Sequence, residues 1–211
     1  MKNIIEAMKW RYATNKFDTS KKLTSEQISE LLEIVTLSPS AFGLQPWKFI
    51  VVTNPDVRAK LQEAGYGQPK ITEASHLIVF AVEKNIDDEL INAFIKSVSE
   101  TRGVPVDGLT QYAGMIKGAT SSMTPEQRVE WAARQAYLAL GVLIASAAIS
   151  GIDVAPMEGF DPKKFDEILG LDKMGLESKV VAAVGFRASD DPSAQYKKVR
   201  YPKEKIVIEI K

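Results

Sequence analysis

The chain has 211 residues, of which 45% are hydrophobic and 26% are charged, and these are the proportions of an ordinary globular domain. Its 27 basic and 27 acidic residues cancel, so no overall positive charge favours nucleic acid as a partner. The lack of cysteine excludes disulfides, thiolate nucleophiles and cysteine-ligated metal, and the single histidine argues against a Ser-His-Asp triad or a multi-histidine metal site.

The membrane and export signals are weak. The N-terminal segment MKNIIEAMKWRY carries charge too early for the hydrophobic core of a signal peptide. The most apolar stretch, residues 136–149, is too short to span a bilayer, and we interpret it as part of a buried core helix. We therefore expect a cytoplasmic protein without a membrane partner.

The first half of the chain carries helix and strand signals in alternation. Residues 4–8 have the apolar spacing of a short helix that ends near Arg11. Residues 24–35 open with a Thr-x-x-Gln capping box and keep helical spacing. The run 47–53 is rich in β-forming residues and predicts a strand, and the Asn-Pro-Asp turn after it begins another helix. Residues 77–82 predict a second, buried strand.

The central part of the chain predicts three helices. Residues 86–120 contain four glycines and predict two short helices that form a mobile excursion. The sequence Thr-Pro-Glu-Gln at Thr124 is a strong helix start. The helix runs to about Ser150, where Gly151 provides the stop.

The last quarter of the chain returns to strand signals. Residues 152–155 predict a short strand, a helix opens at Asp161, and residues 179–186 predict a third main strand. The tail, residues 205–210, alternates and predicts an edge strand. Helices and strands intermix without regular βαβ alternation, which favours an α+β fold with a central sheet flanked by helices.

Several common catalytic motifs are absent. The chain has no GxGxxG after a strand, no Walker A, no HExxH and no GxSxG. No side-chain constellation for acid–base or metal catalysis is visible. An enzyme with this sequence is therefore expected to take its chemistry from a bound cofactor.

Four separated segments, taken together, resemble the nitroreductase family. They are RYATNKF at 11–17, SPSAFGLQPW at 38–47, PMEGF at 156–160 and KKVRYP at 197–202. Each is weak alone, but their order and spacing extend over nearly the whole chain. The resemblance implies one FMN-binding domain at residues 1–211, with a nitroreductase-like three-layer α+β fold and a central, mostly antiparallel sheet. It also implies an intertwined homodimer with FMN at the interface.

The resemblance implies a redox function. NADH or NADPH would reduce FMN and leave, and a nitroaromatic, quinone or similar small planar acceptor would take the electrons in the same pocket, a ping-pong scheme. The alternatives are another flavin chemistry on this fold, such as enone reduction or reductive dehalogenation, and a non-catalytic flavin-binding protein. The chain has no nucleotide fold from which to read a preference between NADH and NADPH.

The FMN phosphate requires a cationic cradle, since it is nearly dianionic and a guanidinium can engage it with two hydrogen bonds. In the family, an arginine that ends the first helix and a basic pair near the C-terminus supply it. The matching residues are Arg11, Lys198 and Arg200, with Tyr12 beside them. The alternative for each cation is a solvated surface charge.

The flavin ring edge is where the chain departs from the family. Ala13 stands where a hydroxyl residue is common, and Asn15 stands where a basic residue normally faces the N1/O2 edge. Asn15 can donate a hydrogen bond but brings no charge. Lys70 is then the expected cation at that edge, and Gln68 is expected to bond the amide-like edge of the ring. The alternative is a turn closed by Pro69.

The second segment is a Ser-, Gly- and Pro-containing loop with apolar residues. In the family this loop lies against the flavin that is bound mainly by the other subunit. Pro39, Ser40, Ala41 and Leu44 are then expected to cover the ring and ribityl chain. The alternative is a helix-to-strand connector with buried anchors, and we interpret Trp47 as a core residue.

The third segment follows a short predicted strand. In the family, the backbone N–H of its glutamate, here Glu158, donates to flavin N5, which favours the reduced ring. Pro156 and Met157 lead into this position, and Gly159 allows close approach of the backbone. The alternative is a turn with an exposed carboxylate.

Two further features are weaker candidates. His76 precedes the second strand, and we interpret it as structural because no partner constellation is visible. Tyr112, Met115 and Ile116 line either a substrate lid or the apolar face of a helix. The C-terminal arm, residues 203–211, is expected to wrap the partner subunit, as it does in the family.

Overall fold

The structure is a computed structural model that describes residues 3–211. Its strands are β1 (Trp47–Val52), β2 (His76–Glu83), β3 (Asp153–Met157) and β4 (Leu176–Gly185). They form one antiparallel sheet in the order β1-β2-β4-β3. The four strands predicted before the tail are confirmed, with ends that shift by a few residues.

Strand β2 lies inside the sheet and is buried on both faces. Its central residues, 77–82, are all buried, which explains why this run is apolar without alternation. Successive side chains point to opposite faces of a strand. Phe80 accordingly packs in one core cluster, and Leu77 and Val79 pack in the other.

Helices cover both faces of the sheet, so the three-layer α+β prediction is confirmed. Phe80 and its neighbours pack against the helices α2, α5, α6 and α7, and the opposite face packs against α3 and α8. The helical ranges are α1 (Ile4–Trp10), α2 (Ser25–Thr36), α3 (Pro55–Ala64), α4 (Lys70–Glu73), α5 (Asp88–Arg102), α6 (Thr110–Ser121), α7 (Pro125–Ile149), α8 (Pro162–Leu169) and α9 (Lys203–Ile206).

Helix α7 is the central helix of the fold. Thr124 and Gln127 form the capping box at its start, and the chain leaves it through Gly151 at φ +74°. It is long and apolar enough to cross a membrane by length and composition, and half of its apolar window is buried inside the protein. Its contacts with all four strands and with α1 and α2 fit the predicted core helix.

The excursion at 86–120 contains the two predicted helices, which are longer than expected. Asp87 caps α5, and a short 3₁₀ turn at Val106–Leu109 connects it to α6. Ile91, Ile95 and Ile116 are buried in the main core. The excursion is therefore packed against the body of the protein through an apolar face.

The predicted edge strand at 205–210 is wrong. Residues Lys203–Ile206 form one helical turn, and residues 207–211 have no regular structure. A strand needs a hydrogen-bonding neighbour, and the sheet of this chain includes no tail residue. The apolar tail side chains are consequently exposed, from 52% at Val207 to 94% at Ile210.

Candidate functional site

The first and last of the four segments meet where Lys198 contacts Arg11, and Asp191 joins the first segment to the turn that precedes the last one. Its carboxylate is 2% exposed. It accepts hydrogen bonds of 2.9–3.2 Å from the hydroxyl of Tyr12 and from the backbone N–H groups of Asn15, Lys16 and Ser193. Burial raises the pKa of Asp191, but the hydrogen bonds from these donors lower it by a larger amount. The net shift of the pKa is therefore downward.

Arg11, Lys198 and Arg200 converge on one surface. They line two pockets, of about 360 and 460 Å³, that share these three residues. The ammonium of Lys198 donates to the backbone carbonyl of Arg11. Burial and the nearby Arg11 and Arg200 guanidinium groups lower the pKa of Lys198. Among residues 3–211, no carboxylate forms an ion pair with any of the three.

The second of these pockets also contains the positions where the chain departs from the family pattern. Tyr12, Ala13 and Asn15 line it beside the cations. The side-chain amide of Asn15 donates to the hydroxyl of Ser193 at 2.7 Å. The side chain of Asn15 is therefore hydrogen-bonded within its own chain.

Gln68 connects the segment before α4 to the third motif. Its amide nitrogen donates to the carbonyl of Gly159 at 2.6 Å and to that of Gly65 at 2.9 Å. Lys70, the first residue of α4, is half-buried; burial lowers its pKa, and the Asp191 carboxylate opposes that shift. Gln68 thus contacts the third motif, and Lys70 lies near Asp191.

Arg58 stabilises α4 through hydrogen bonds from its guanidinium group. Its side chain is 5% exposed, and its three nitrogens donate to the carbonyls of Ile71, Ala74 and Ser75 at 2.7, 2.7 and 3.2 Å. These carbonyls lie at and just after the C-terminal end of α4, where helix carbonyls lack partners. A buried arginine therefore supports the short helix that begins with Lys70.

The third motif continues directly from β3. Pro156 is tolerated in β3 because that strand lies at the edge of the sheet. Met157 is buried, whereas Glu158 and Gly159 are exposed. The Glu158 carboxylate accepts a 2.6 Å hydrogen bond from the hydroxyl of Tyr137 on α7. Burial and this carboxylate raise the pKa of Tyr137.

The loop 38–47 combines buried anchors with exposed backbone. Leu44 and Trp47 are 4% and 5% exposed, so Trp47 is a core residue as predicted, and Leu44 faces the core of its own chain. Pro39 is exposed, and Ser40 and Ala41 are partly exposed. The N–H of Ala41 donates at 2.9 Å to the buried side chain of Gln135 on α7.

This loop is also strained. Phe42 and Gln45 have φ values of +56° and +50°, a region that non-glycine residues rarely adopt. The hydroxyl of Ser38 is buried without a hydrogen-bond partner in the described chain. No hydrogen bond within residues 3–211 joins the loop to the three cations.

The weaker candidates have structural positions. His76 is the first residue of β2; burial, Arg58 and Lys22 lower its pKa, and Nδ1 lies 3.0 Å from the Ser75 hydroxyl. Ile116 is fully buried, and Met115 is 55% exposed. Tyr112 packs against Phe94 and donates to the carbonyl of Phe42. Residues of α6 therefore brace the strained loop.

Sequence reasoning missed the residues that hold the motifs together: Asp191, Tyr137, Gln135 and Arg187. Asp191 had a local signal, because an aspartate before proline favours a turn, and here it caps the 3₁₀ turn Pro192–Gln195. The contact of Asp191 with Tyr12 joins residues 179 positions apart, and nothing in the local sequence marks it.

Comparison with known proteins shows what this chain resembles. The profile of the Nitroreductase family matches residues 8–186. The chain is 30% identical over 220 residues to the oxygen-insensitive NAD(P)H nitroreductase of Enterobacter cloacae, covering 98% of this chain and 99% of that one. It is 32% identical over 212 residues to a Staphylococcus haemolyticus relative that is provisionally named an NAD(P)H nitroreductase, covering 97% and 95% of the two chains. A crystal structure from Exiguobacterium sibiricum, in complex with FMN, superposes with a TM-score of 0.85 at 23% identity, covering 100% of this chain and 98% of that one.

Proposed function

The chain belongs to the nitroreductase family, and from this premise we propose that it uses NAD(P)H and FMN to reduce small planar acceptors. The family makes it an oxidoreductase. The acceptor class that we propose is nitroaromatics and quinones, and the kinetic scheme is ping-pong. The name of the Enterobacter relative supports the nitroaromatic acceptors, and chemistry carried by a flavin is supported by residues 3–211, which contain no group of acidic or histidine side chains that could hold a metal.

The observation that carries the proposal is the convergence of Arg11, Lys198 and Arg200. Three like charges repel one another, and a bound anion would relieve that repulsion. The lowered pKa of Lys198 expresses that repulsion together with burial. A phosphate monoester has the charge and the acceptor oxygens that this surface lacks. The residues present therefore fit the phosphate end of FMN.

The remaining motifs fit the other parts of the same ligand. Lys70 and Gln68 would bind the polar edge of the ring, and the backbone at Glu158 and Gly159 would approach its centre. Bound FMN would supply hydride chemistry, taking two electrons from NADH or NADPH and delivering them to the acceptor. The role of the chain is to bind, to orient and to limit access of water; we assign no residue a proton-transfer role.

We also propose that two copies of the chain complete the site. Ile4, Ile5 and Met8 on α1 are 56%, 63% and 40% exposed, and Leu138 on the adjoining α7 is 51% exposed. Gly141, on the same side of α7 as Leu138, has open space where a Cβ would lie, so another helix can approach closely. An apolar surface of this kind is typical of an interface. The loop 38–47 of one copy would then cover the cofactor held by the other.

Anaerobic titration tests the function. The FMN-loaded protein is mixed with NADH or NADPH, and a benzoquinone, a nitroaromatic or an enone is added afterwards. We expect loss of the flavin absorbance with a pyridine nucleotide and its return with the quinone and the nitroaromatic. A flavin that neither nucleotide reduces would indicate a binding protein, and reoxidation by the enone alone would indicate a different acceptor class.

A further inference from the structure

The chain around Arg11 leaves α1 in an extended conformation. Arg11 follows the last residue of α1 and has φ −70° and ψ 147°. Trp10, Arg11 and Tyr12 all line the larger cationic pocket, and Arg11 lines the smaller one as well.

Trp10 and Tyr12 meet at one guanidinium group. The Cζ atom of Arg187 lies 4.1 Å from the ring centroid of Trp10 and 4.4 Å from that of Tyr12. A planar cation between two aromatic faces is favoured by stacking and by the ring quadrupoles. Arg187 thus contacts both sequence neighbours of Arg11.

Asp153 fixes the orientation of this guanidinium. Its carboxylate is 3% exposed and accepts from Nη2 of Arg187 at 2.6 Å, from Nε at 3.0 Å and from the backbone N–H of Arg187 at 2.9 Å. Asp153 begins β3 and pairs with Gly185 at the end of β4. The guanidinium is therefore anchored to the rigid edge of the sheet.

These contacts connect the edge of the sheet to the two residues that flank Arg11 at the cationic surface. The mutual repulsion of Arg11, Lys198 and Arg200 would favour conformations in which the cations separate. The rings clamped on Arg187 oppose that separation, because Trp10 and Tyr12 cannot move without breaking the stack. Arg11, which lies between these two ring-bearing residues in sequence, would therefore be restrained before an anion arrives.

We propose that Arg187 and Asp153 are positioning residues for phosphate binding, acting through Trp10 and Tyr12 on Arg11. This inference rests on the proposed FMN function. A purely structural ion pair would stabilise the fold and would affect every flavin ligand alike. A positioning pair affects the ligand that has a phosphate and spares the one that lacks it.

Titration of apo-protein with FMN and with riboflavin separates the two roles, because riboflavin lacks only the phosphate. Arg187→Lys keeps a cation for Asp153 but loses the planar group that stacks between the rings. We expect FMN affinity to fall about tenfold, the effect of one charge-assisted hydrogen bond, with riboflavin affinity unchanged. Equal loss for both ligands, or no loss for either, would overturn the proposal.

Arg58→Lys is the matched control, since Arg58, like Arg187, makes several hydrogen bonds through its guanidinium, but it supports α4. It is expected to leave the ratio of FMN to riboflavin affinity unchanged. A double-mutant cycle with FMN alone is the second measurement. In the Arg11→Ala background, Arg187→Lys should cause no further loss of affinity; additive losses would contradict the inference. A wild-type protein that binds no FMN would instead contradict the proposed function.

Discussion

Arg200 offers the most direct test on a single side chain. It is exposed and has no carboxylate partner within the described chain, so removing it should cost little stability. We expect Arg200→Ala to weaken FMN binding about ten- to a hundredfold, since a charge-assisted contact to phosphate contributes roughly 1.5–3 kcal/mol. Fluorescence titration of the apo-protein measures this. His76→Ala is the comparison variant and should keep the wild-type affinity for FMN. An unchanged affinity in a folded Arg200→Ala protein would show that Arg200 does not bind the phosphate.

Asp191 predicts a specific dependence of stability on pH. Its folded pKa is lowered, so its contribution is complete above the unfolded value of about 4 and is lost as pH falls through the lower folded value. Asp191→Asn should therefore reduce the free energy of unfolding at pH 7 by roughly 1–3 kcal/mol, the cost of mismatched buried donors. The difference between wild type and variant should narrow below about pH 4.

Urea denaturation at pH 7 and at pH 3 measures both differences. Asp190→Asn is the matched control, because Asp190 is the adjacent carboxylate and is exposed, with Lys16 as its surface partner. It is expected to leave unfolding at pH 7 unchanged. A wild-type advantage over Asp191→Asn that stays constant down to pH 3 would show that the Asp191 carboxylate is not responsible.

At the scale of elements, the sequence predicts best where the signal is local. The capping boxes at Thr24 and Thr124 predict the first residue of each helix, because the cap is made within four positions of sequence. The apolar run of β2 is equally clear. The strand prediction for the tail was wrong for a physical reason. Alternation indicates a strand only where the segment has a hydrogen-bonded neighbour, and no strand within residues 3–211 lies beside residues 205–210.

The candidate site shows the same division. The four segments could be identified from the sequence alone, and the structure brings Arg11, Lys198 and Arg200 together. The contacts of Asp191 with the first segment and of Asp153 with Arg187 join residues more than thirty positions apart in sequence. Such contacts leave no periodic pattern, so their place in the site emerges only when the chain is folded.

The C-terminal arm allows a prediction at the scale of the element. Its apolar side chains are exposed in the single chain, and it follows Lys198 and Arg200 directly. Deletion of residues 203–211 should lower both the dimer fraction and the amount of FMN retained. The two copies would lose the apolar contacts that the arm makes, and Lys198 and Arg200 would lose the segment that fixes their position. Light scattering and flavin absorbance on the same sample measure the two quantities.

The arm also provides a matched control. Lys205→Ala with Glu209→Ala removes two exposed charges and keeps the apolar residues, so both dimer and FMN should be retained. If the truncated protein keeps its dimer and its flavin at micromolar concentration, the arm has no part in assembly.

At the scale of the whole molecule, we propose that each copy of the three-layer body supplies two parts of the site. The cationic surface lies at the end of α1, and the strained loop 38–47 is braced by α6 and α7. In the proposed dimer, the loop of one copy would complete the cationic surface of the other. Activity and assembly are therefore expected to be lost together.

The identity of the bound flavin tests the central claim most directly. The purified protein, reconstituted with FMN and FAD in equal amounts and then desalted, is heated, and the released ligand is separated by chromatography. The cradle of Arg11, Lys198 and Arg200 fits one phosphate monoester, so we expect non-covalent FMN as the released flavin. Release of FAD, or of no flavin at all, would contradict it.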